Sequence, residues 1–412
     1  MTTIKAFHAY RPLPQYAATV AARPYDVLNR QEAKEEATPL SFLHVSRAEI
    51  DLPDSTGDYD DAVYQQAKNN FERWVEQQIF KQDTTANLYI YAQTMNGRRQ
   101  YGIAALTTTE DYEQNRIKKH EFTRYEKEID RIKHMSITRL HSEPLIMTYR
   151  NVPRIDEIVA IHVRHTKADC DFVTNDGIQH QVWVIDNPGI IIELEDLFAK
   201  EVPHIYIADG HHRAASSAKV AAAEQQNNPH HTGHEPYNYF LSVLFPDNQL
   251  AIMDYNRVVK DLGEQTASEF LAAIAQNFEI NPTNTQQAPT EPHTFSLYLD
   301  KQWYKLKAKP HTYNEQDTIG SLDVNILSDY LLQPILGIED QRTDKRIDFV
   351  GGIRGLEELA RRVDSGEMCL AIALYPVSVE QLLTVADNDQ IMPPKSTWFE
   401  PKLRSGLLVH QF

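Results

Sequence analysis

The chain contains 412 residues, a length that predicts two or three domains with a well-buried core and excludes a small disulfide scaffold. Hydrophobic residues make up 42% of the sequence and charged residues 24%, which is ordinary for a globular protein. The formal net charge of −17 repels nucleic-acid backbones and anionic membranes at long range, so any contact with a polyanion has to be local.

The two cysteines, Cys170 and Cys369, lie far apart and lack Cys-x-x-Cys spacing, so neither a zinc knuckle nor a disulfide framework is predicted. The N-terminal residues lack the basic and apolar regions of an export signal. No stretch reaches the roughly 18 apolar residues that span a bilayer. We therefore expect a soluble, cytoplasmic protein that contacts no membrane.

Helical and strand patterns alternate almost from end to end, which indicates an α/β or α+β architecture. Asn29 and Glu32 form a capping pair for a short helix that stops before Pro39. Apolar residues then recur at steps of three and four, which predicts a longer helix with one buried stripe: Val63, Ala67, Phe71, Trp74, Val75 and Ile79.

Three hairpins are predicted from β-rich runs on either side of turn residues. The first joins 88–92 to 101–106 through Asn96-Gly97, the second joins 171–174 to 179–185 through Asn175-Asp176-Gly177, and the third joins 237–245 to 249–255 through Pro246-Asp247-Asn248.

A helix over 264–278 precedes a polar, proline-bearing stretch that we interpret as a linker. The predicted organisation is a first region over 1–280, a linker over 281–294, a smaller α/β domain over 295–391 and a C-terminal segment over 392–412. Within the smaller domain we expect strands at 295–299, 303–307, 347–350 and 368–374 and helices at 322–332 and 356–363.

The sharpest local pattern is an apolar strand followed by Asp209, Gly210 and an alanine-rich helix. Gly210 allows the chain to reverse closely, and the first turn of the helix presents N–H groups at the positive end of its dipole, which favours an anion such as phosphate. His211, His212 and Arg213 stand in that turn, where acidic residues are usual. This conflict with the local rule points to a function.

Two other interpretations of this pattern stay open. Asp209 can be the N-cap of a helix that begins with ordinary polar histidines, or it can bind Mg²⁺ together with phosphate oxygens. A metal site made by His211 and His212 together is disfavoured, because successive helical residues point about 100° apart.

Two further segments carry groups that suit a small anionic substrate. Arg23, Tyr25 and Asp26 lie on a proline-stiffened stretch, which can be a functional site or an edge strand with a structural Arg–Asp pair. A cationic and hydroxyl-rich loop suited to phosphate lies near the C-terminus: Lys395, Ser396, Thr397 and Lys402.

Several common signatures are absent, namely a Walker-type glycine loop, a Gly-x-Ser-x-Gly elbow and a Gly-x-Gly-x-x-Gly fingerprint. We interpret the histidine-rich stretch 230–234 as a surface loop. The charged residues at 118–121 and 130–131 are interpreted as a solvated helical face.

Five ordered motifs resemble a bacterial and archaeal family known as domain of unknown function 1015, across essentially the whole chain: Arg23-Pro-Tyr-Asp26, Ile207-Ala-Asp-Gly-His-His-Arg213, Tyr255-Asn-Arg257, Ile335-Leu-Gly-Ile338, and Met392 to Thr397 with Pro401-Lys402. Through its Asp-Gly-His-His-Arg element this family is similar to the free-serine kinases and to the wider ParB/sulfiredoxin-like nucleotide-binding group. The resemblance implies a mixed-sheet ParB/sulfiredoxin-like core with a second, smaller α/β domain. It also implies phosphoryl transfer between a nucleotide, ATP or ADP, and the hydroxyl of free L-serine, with O-phosphoserine as product or substrate and Mg²⁺ as cofactor.

Phosphoryl transfer requires neutralised and positioned phosphate oxygens and a group that orients the attacking hydroxyl. On the resemblance, Gly210, His211, His212 and Arg213 are assigned to the phosphates, and Asp209 to Mg²⁺ or phosphate positioning. Lys395, Ser396, Thr397 and Lys402 would form a closing clamp, Asp26 the base, and Arg23, Tyr25 and Arg257 the substrate contacts. This assignment requires both chain ends to meet the middle of the chain.

Two rival functions use the same pocket. A ParB-like, nucleotide-switched adaptor would grip a partner without turnover, although the net charge of −17 and the lack of a helix-turn-helix count against DNA. A phosphatase of a small phosphorylated metabolite would place water where serine is expected. A homo-oligomer is compatible with all three functions.

Overall fold

The computed structural model describes residues 1–412. The strands in chain order are β1 (Ile4–Lys5), β2 (Tyr10–Pro12), β3 (Phe80–Gln82), β4 (Leu88–Met95), β5 (Arg98–Thr108), β6 (Ile117–Lys118), β7 (Leu140–His141), β8 (Leu145–Tyr149), β9 (Cys170–Val173), β10 (Gln179–Ile185), β11 (Ile205–Asp209), β12 (Tyr239–Pro246), β13 (Ile252–Met253), β14 (Tyr255–Val259), β15 (Phe278–Thr283), β16 (Thr294–Leu299), β17 (Gln302–Ala308), β18 (Ile347–Gly351), β19 (Leu370–Leu374), β20 (Trp398–Phe399) and β21 (His410–Gln411).

The α-helices in chain order are α1 (Ala17–Val20), α2 (Arg30–Glu36), α3 (Leu43–Ser46), α4 (Asp61–Glu76), α5 (Thr109–Glu113), α6 (Tyr125–Thr138), α7 (Pro153–His165), α8 (Pro188–Glu201), α9 (His211–Asn227), α10 (Ala267–Ile274), α11 (Asp323–Leu327), α12 (Gln333–Leu336), α13 (Gly355–Asp364) and α14 (Val379–Asp387). A π-helical stretch, Ser328–Leu332, joins α11 to α12. No helix is both long enough and apolar enough to cross a membrane.

The chain divides into two compact units. The first unit contains residues 1–119, 123–250 and 401–412, and the second contains residues 120–122 and 251–400. The change of unit after residue 250 lies earlier than the predicted linker at 281–294. That stretch begins inside β15, an edge strand, where a proline such as Pro282 is tolerated because one side of the strand makes no ladder hydrogen bonds.

A mixed sheet forms the centre of the first unit, in the order β6-β11-β8-β12-β5-β4-β10-β9, with β1 on β5. The pairs β6/β11 and β8/β12 are parallel and the other pairs in this order are antiparallel. Every residue of β12 is buried. Helices α7 and α8 pack on this sheet through residues at helical spacing, among them Ile155, Val159, Leu194 and Phe198. The α/β class with a large mixed sheet is therefore confirmed.

The first two predicted hairpins are confirmed. Strands β4 and β5 pair antiparallel around Asn96 and Gly97, whose φ angles are 52° and 78°, and β9 pairs with β10. The third predicted hairpin is wrong. Both sides of β12 are already occupied by β5 and β8, so no edge remains for a returning strand, and β13 pairs with β20 of the second unit instead.

The first unit has a second core, built by α2 to α4 and by the C-terminal residues. The predicted capping box of α2 is present, since Asn29 accepts from the backbone of Glu32 and the Glu32 side chain accepts from the backbone of Asn29. Most of the predicted apolar stripe of α4 is buried, with Phe71 and Trp74 packed against Phe80. Val75 is only half-buried, and Ile79 lies beyond the end of the helix at Glu76.

The second unit is organised around an antiparallel sheet in the order β15-β17-β16-β19-β14-β18, and α13 packs on one face of it. The four strands predicted in 295–374 are confirmed within a residue or two at each end. The helix predicted over 264–278 is shorter, because α10 ends at Ile274 and Phe278 already begins β15.

Candidate functional site

The predicted strand, glycine and helix around Asp209 are confirmed as β11, Gly210 and α9. The pairing of β11 with β8 shifts register between Ile207 and Asp209, so the strand bulges just before it ends. Gly210 then has φ +108°, a conformation that residues with a side chain rarely adopt. Bulges of this kind commonly re-aim a side chain at a functional site, and here the re-aimed side chain is that of Asp209.

Asp209 is held between two cations in the first unit. Lys402 Nζ lies 3.1 Å from Oδ1, and Arg213 Nη2 lies 2.9 Å from Oδ2. Burial alone would raise the pKa of Asp209, but Lys402 and Arg213 hold it well below its ordinary value. Asp209 is therefore ionised at neutral pH, and the three side chains together carry one net positive charge at the start of α9.

Of the two cations that contact Asp209, Arg213 is the more buried, and we call it the inner cation. Its side chain is 8% exposed, and its Nη1 donates to the backbone carbonyl of Pro144. Burial opposes its charge, but the carboxylates of Asp209, Asp26 and Glu143 raise its pKa above the ordinary value. Asp26, which is exposed, therefore lies close enough to Arg213 to interact with it electrostatically.

Glu143 was not predicted as a site residue, yet its buried carboxylate is where several segments meet. Its Oε1 accepts from the backbone N–H of Tyr25 at 3.0 Å and from Ser405 Oγ at 3.2 Å, and its Oε2 lies 3.9 Å from Arg131 Nη1. Burial raises its pKa, while Arg213 and Arg131 oppose that rise. A lone polar run, His-Ser-Glu-Pro, between two apolar strand segments was the available sequence signal.

The residues around Arg131 correct the prediction of a solvated helical face at 130–131. Asp130 and Arg131 are both buried on α6 and form an ion pair, with Tyr64 Oη donating to Asp130 at 2.9 Å. The Arg131 guanidinium lies over the Tyr25 ring, 3.9 Å from its centroid. The local sequence pattern could not reveal this, because Tyr64 and Tyr25, which contact Asp130 and Arg131, are distant from them in sequence.

Residues 401–412, which we call the C-terminal strap, bring Lys402 to Asp209. The carbonyl of Lys402 accepts from Gln93 Nε2 at 2.9 Å, and the backbone N–H of Arg404 donates to Tyr91 Oη at 3.1 Å. The buried Arg404 guanidinium pairs with Asp176 in the turn of the second hairpin. In addition, Ser405 exchanges backbone hydrogen bonds with Ala22.

The first unit thus brings together the N-terminal, middle and C-terminal segments that the predicted site required. Tyr25 is buried against Arg131, and its pKa is raised, chiefly by burial. His211 is buried. His212 accepts from the backbone N–H of Arg124 at Nε2, 2.9 Å away, so in the neutral ring Nδ1 carries the proton. Arg23 is paired with Glu36 on α2.

The other predicted residues lie together in the second unit. Arg257 is fully buried, with Nη1 donating to the Tyr255 carbonyl and Nη2 3.4 Å from the Pro394 carbonyl; burial lowers its pKa to about 10. Lys395 Nζ lies 5.7 Å from the Tyr255 ring centroid. Ser396 Oγ donates to the Pro393 carbonyl at 2.6 Å, and Thr397 Oγ1 lies 3.4 Å from His120 Nε2.

The chemistry of the donor set suits an anion better than a resident metal ion. Both carboxylate oxygens of Asp209 are already paired with cations, and no group of three or more His, Cys, Asp or Glu side chains is arranged to hold a metal. The cavity lined by Arg131, Glu143 and Arg213 has a volume of about 20 Å³, which suits a single water molecule and not a nucleotide. A nucleotide bound at this group would therefore lie outside that cavity.

Several solved structures are similar to this chain at low sequence identity. A conserved hypothetical protein from Pyrococcus furiosus is 12% identical with a TM-score of 0.35, over 74% of this chain and 94% of that chain. A free serine kinase in complex with AMP is 11% identical with a TM-score of 0.35, over 74% of this chain and 92% of that chain. SbnI with a C-terminal truncation, from Staphylococcus aureus, is 10% identical with a TM-score of 0.32, over 73% of this chain and 85% of that chain.

No curated protein matches the sequence. The family model described as "Protein of unknown function (DUF1015)" matches residues 4–325, which is more than half of the chain. The chain therefore belongs to the DUF1015 family of proteins of unknown function.

Proposed function

We propose that the first unit binds the phosphate groups of a nucleotide, ATP or ADP, and that the protein transfers a phosphoryl group between this nucleotide and the hydroxyl of free L-serine. The observation that carries the proposal is the group of Lys402, Asp209 and Arg213 at the start of α9. The choice of serine follows from the resemblance of the Asp-Gly-His-His-Arg element to that of the free-serine kinases.

The charges of this group favour a phosphate. Two cations share one carboxylate, so a net positive charge remains beside the positive end of the α9 dipole. Charge-assisted hydrogen bonds of this type contribute about 1.5–3 kcal/mol each. Lys402 is the more accessible cation, with 15% of its side chain exposed, and we assign it to the phosphate oxygens. His212, in the first turn of the helix, is also assigned to the phosphates.

Asp26 is assigned to the acceptor hydroxyl. It is exposed, and its charge acts on Arg213, so a substrate at its carboxylate would lie near Arg213, which shares Asp209 with Lys402. In the forward direction the serine oxygen bonds to the terminal phosphorus, the bond from that phosphorus to the nucleotide's bridging oxygen breaks, and the serine proton passes to Asp26. Positioning and charge neutralisation supply most of the rate increase in such reactions.

Arg213 and Asp209 act on the phosphate chiefly by orienting Lys402 and the backbone of Gly210. Because each carboxylate oxygen of Asp209 is already paired with a cation, no step is assigned to a metal bound by that residue. In the second unit, Arg257 donates to the Pro394 carbonyl and so holds the shape of the loop that carries Lys395, Ser396 and Thr397. No step of the proposed reaction is assigned to these residues.

The test is to incubate the purified protein with Mg²⁺, with ATP, ADP or pyrophosphate as donor, and with a panel of amino acids, and to detect O-phosphoserine by mass spectrometry. We expect a serine-dependent product with one nucleotide donor. Absence of this product with every donor would overturn the kinase function. Inorganic phosphate released from O-phosphoserine would favour the phosphatase, and nucleotide binding without turnover together with an identified macromolecular partner would favour the adaptor.

The Lys402→Met variant tests the site itself. Loss of one charge-assisted contact should weaken nucleotide binding about tenfold or more, measured by calorimetry. Lys200→Met is the matched control, because Lys200 lies on the surface of α8 in the same unit and pairs only with Asp196. Equal affinities in the two variants would contradict the assignment of Lys402.

A further inference from the structure

The feature that the proposed reaction leaves unused is the buried carboxylate of Glu143. It lies between β7 and β8, and a single oxygen, Oε1, accepts hydrogen bonds from both ends of the chain. The N-terminal donor is the backbone of Tyr25, the residue before Asp26. The C-terminal donor is the hydroxyl of Ser405, three residues after Lys402.

We propose that Glu143 is a positioning residue that fixes the segment bearing Asp26 and the strap bearing Lys402 against the start of α9. This inference rests on the proposed phosphoryl transfer, since it concerns the alignment of the proposed base with the proposed phosphate ligand. Glu143 itself touches neither group and acts through Tyr25 and Ser405.

The geometry makes the coupling direct. Tyr25 N and Ser405 Oγ lie 3.0 and 3.2 Å from the same Oε1 atom, so a displacement of the carboxylate moves both segments together. The two segments are also bonded to each other, because Ala22 and Ser405 exchange backbone hydrogen bonds of 3.2 and 2.8 Å. Between Ala22 and Asp26, and between Ser405 and Lys402, the chain has little length over which to absorb such a displacement.

The carboxylate is held by charge from the opposite side. Arg131 of α6 faces Oε2, and Arg213 of α9 and the exposed Asp26 are its other charged neighbours. Arg131 is in turn fixed by Asp130 and by the Tyr25 ring. A buried carboxylate is costly unless cations compensate it, and here the compensating cations include one of the three groups that form the phosphate site.

The distances in a phosphoryl-transfer site have to be accurate, because a misplacement of about 1 Å can lower a rate about a hundredfold. Asp26 and Lys402 come from opposite ends of the sequence, so local chain geometry cannot set their separation. Glu143 is the group that bonds to both of their segments at once, and Asp209 at the end of β11 and Arg213 in α9 are the fixed groups against which these segments are aligned.

The experiment uses Glu143→Gln and Ser405→Ala in the full-length protein. Glu143→Gln keeps the shape but removes the charge, and Ser405→Ala removes only the bond to the strap. We expect kcat to fall about tenfold or more in the first variant and less in the second, with KM for the nucleotide changed less than threefold, at a temperature where both remain folded by circular dichroism. The matched control is Ser242→Ala, since Ser242 is buried in β12 and bonds only to Thr107.

A second readout, besides the kcat and KM values, separates positioning from a general loss of structure. Amide hydrogen exchange at 22–28 and 402–409 should accelerate together in Glu143→Gln and mainly at 402–409 in Ser405→Ala. If exchange at these two segments is unchanged in both variants, the positioning role is overturned.

The outcomes also distinguish the two proposals. If the wild-type protein binds no nucleotide and transfers no phosphoryl group, the proposed function fails, and a positioning role for catalysis fails with it even if exchange is coupled. If the wild type is active and Glu143→Gln is folded with an unchanged kcat, the proposed function stands and the role of Glu143 is overturned. If Glu143→Gln does not fold, Ser405→Ala becomes the deciding variant. Its kcat and its amide hydrogen exchange at 402–409 then test the role of Glu143.

Discussion

Asp209 in the first unit and Asp323 in the second are both mostly enclosed carboxylates, but their surroundings differ in charge. Asp209 lies between Lys402 and Arg213. Asp323, at the start of α11, accepts from the backbone N–H of His293 at 2.8 Å, and its other oxygen is buried without a hydrogen-bond partner. Burial, with a small contribution from Glu315, raises the pKa of Asp323 to about 7, whereas two cations lower that of Asp209.

This difference in surrounding charge indicates that the enclosed carboxyl group has a different role in each unit. An isolated buried carboxyl is largely relieved of its charge by taking up a proton, and this is compatible with a purely structural role. A buried carboxylate kept ionised by two cations is one part of a prearranged electrostatic site. The candidate site at Asp209 therefore differs from the carboxyl site at Asp323 of the second unit in two respects. Cations compensate the charge of Asp209, and Asp209 belongs to the strand–glycine–helix motif.

The largest expected effect comes from removing the inner cation. Arg213→Ala leaves Asp209 with Lys402 alone and Glu143 with Arg131 alone, so the free energy of unfolding should fall by about 3–5 kcal/mol in chemical denaturation. Arg342→Ala, which breaks an exposed pair with Asp340 in the second unit, should change it by less than about 0.5 kcal/mol. Equal losses in the free energy of unfolding for the two variants would contradict the proposed difference between the buried ion pairs of the first unit and the exposed pair of the second.

The second prediction uses the protonation of Asp323. Its folded-state pKa of about 7 lies above its ordinary value of 3.8, so the stability that it contributes is present at low pH and is lost as the pH rises through about 7. Asp323→Asn keeps an acceptor for His293 without this titration. Its stability relative to wild type should therefore grow by about 1.4 kcal/mol per pH unit between pH 4 and 7 and level off above that. If the difference in the free energy of unfolding between Asp323→Asn and wild type does not change between pH 4 and pH 7, the raised pKa of Asp323 is contradicted.

Asp209 gives the opposite sign. Its pKa is lowered in the folded state, so its contribution to stability is present above its ordinary value of 3.8 and is lost as the pH falls below it. Asp209→Asn should be less stable than wild type at pH 7, and the gap should narrow in acid. Urea denaturation of both proteins at pH 7 and pH 3.5 measures this difference in the free energy of unfolding. A difference that is larger at pH 3.5 than at pH 7 would contradict an ionised Asp209 carboxylate.

A smaller effect is expected from two glycines with positive φ. An alanine Cβ at Gly210 would lie 3.1 Å from both Leu145 Cγ and Arg213 Cζ, whereas at Gly337, which ends α12 with φ +66°, it would meet no atom within 4 Å. Both substitutions carry the cost of a left-handed conformation, about 1–2 kcal/mol. Gly210→Ala should cost more by about 1 kcal/mol, and thermal unfolding of the two variants measures the difference.

The smallest effect on stability is expected at Arg23, because its pair with Glu36 is about 40% exposed on the arginine side. Arg23→Ala should change the free energy of unfolding by less than about 1 kcal/mol. If Arg23 binds the serine carboxylate, Arg23→Ala will raise KM for serine while Glu36→Gln, which breaks the same pair but keeps the guanidinium, will not. Equal KM values for serine in the two variants would contradict a role of Arg23 in serine binding and would show that its function is limited to the ion pair with Glu36.

The parts of the molecule that were predicted from the sequence are those governed by local chemistry. The capping box at Asn29, the Asn96-Gly97 turn and the strand–glycine–helix at Asp209 each depend on residues that are close in sequence. The third hairpin failed because the pairing of β12 depends on β5 and β8, which local pattern does not reveal. Glu143 and Arg131 were missed for the same reason, since their significance lies partly in contacts with Tyr25 and Ser405, which are more than a hundred residues away in sequence.

The first unit is discontinuous in sequence, because residues 251–400 are inserted before the strap that carries Lys402. During synthesis, the sheet and the Asp209 corner emerge long before their last cation does. The nascent chain therefore holds Asp209 and Glu143 without Lys402 and Ser405 until those residues have been synthesised. A chain that stops before residue 402 would contain most of the fold but would lack Lys402, the proposed phosphate ligand, so we expect it not to carry out the proposed phosphoryl transfer.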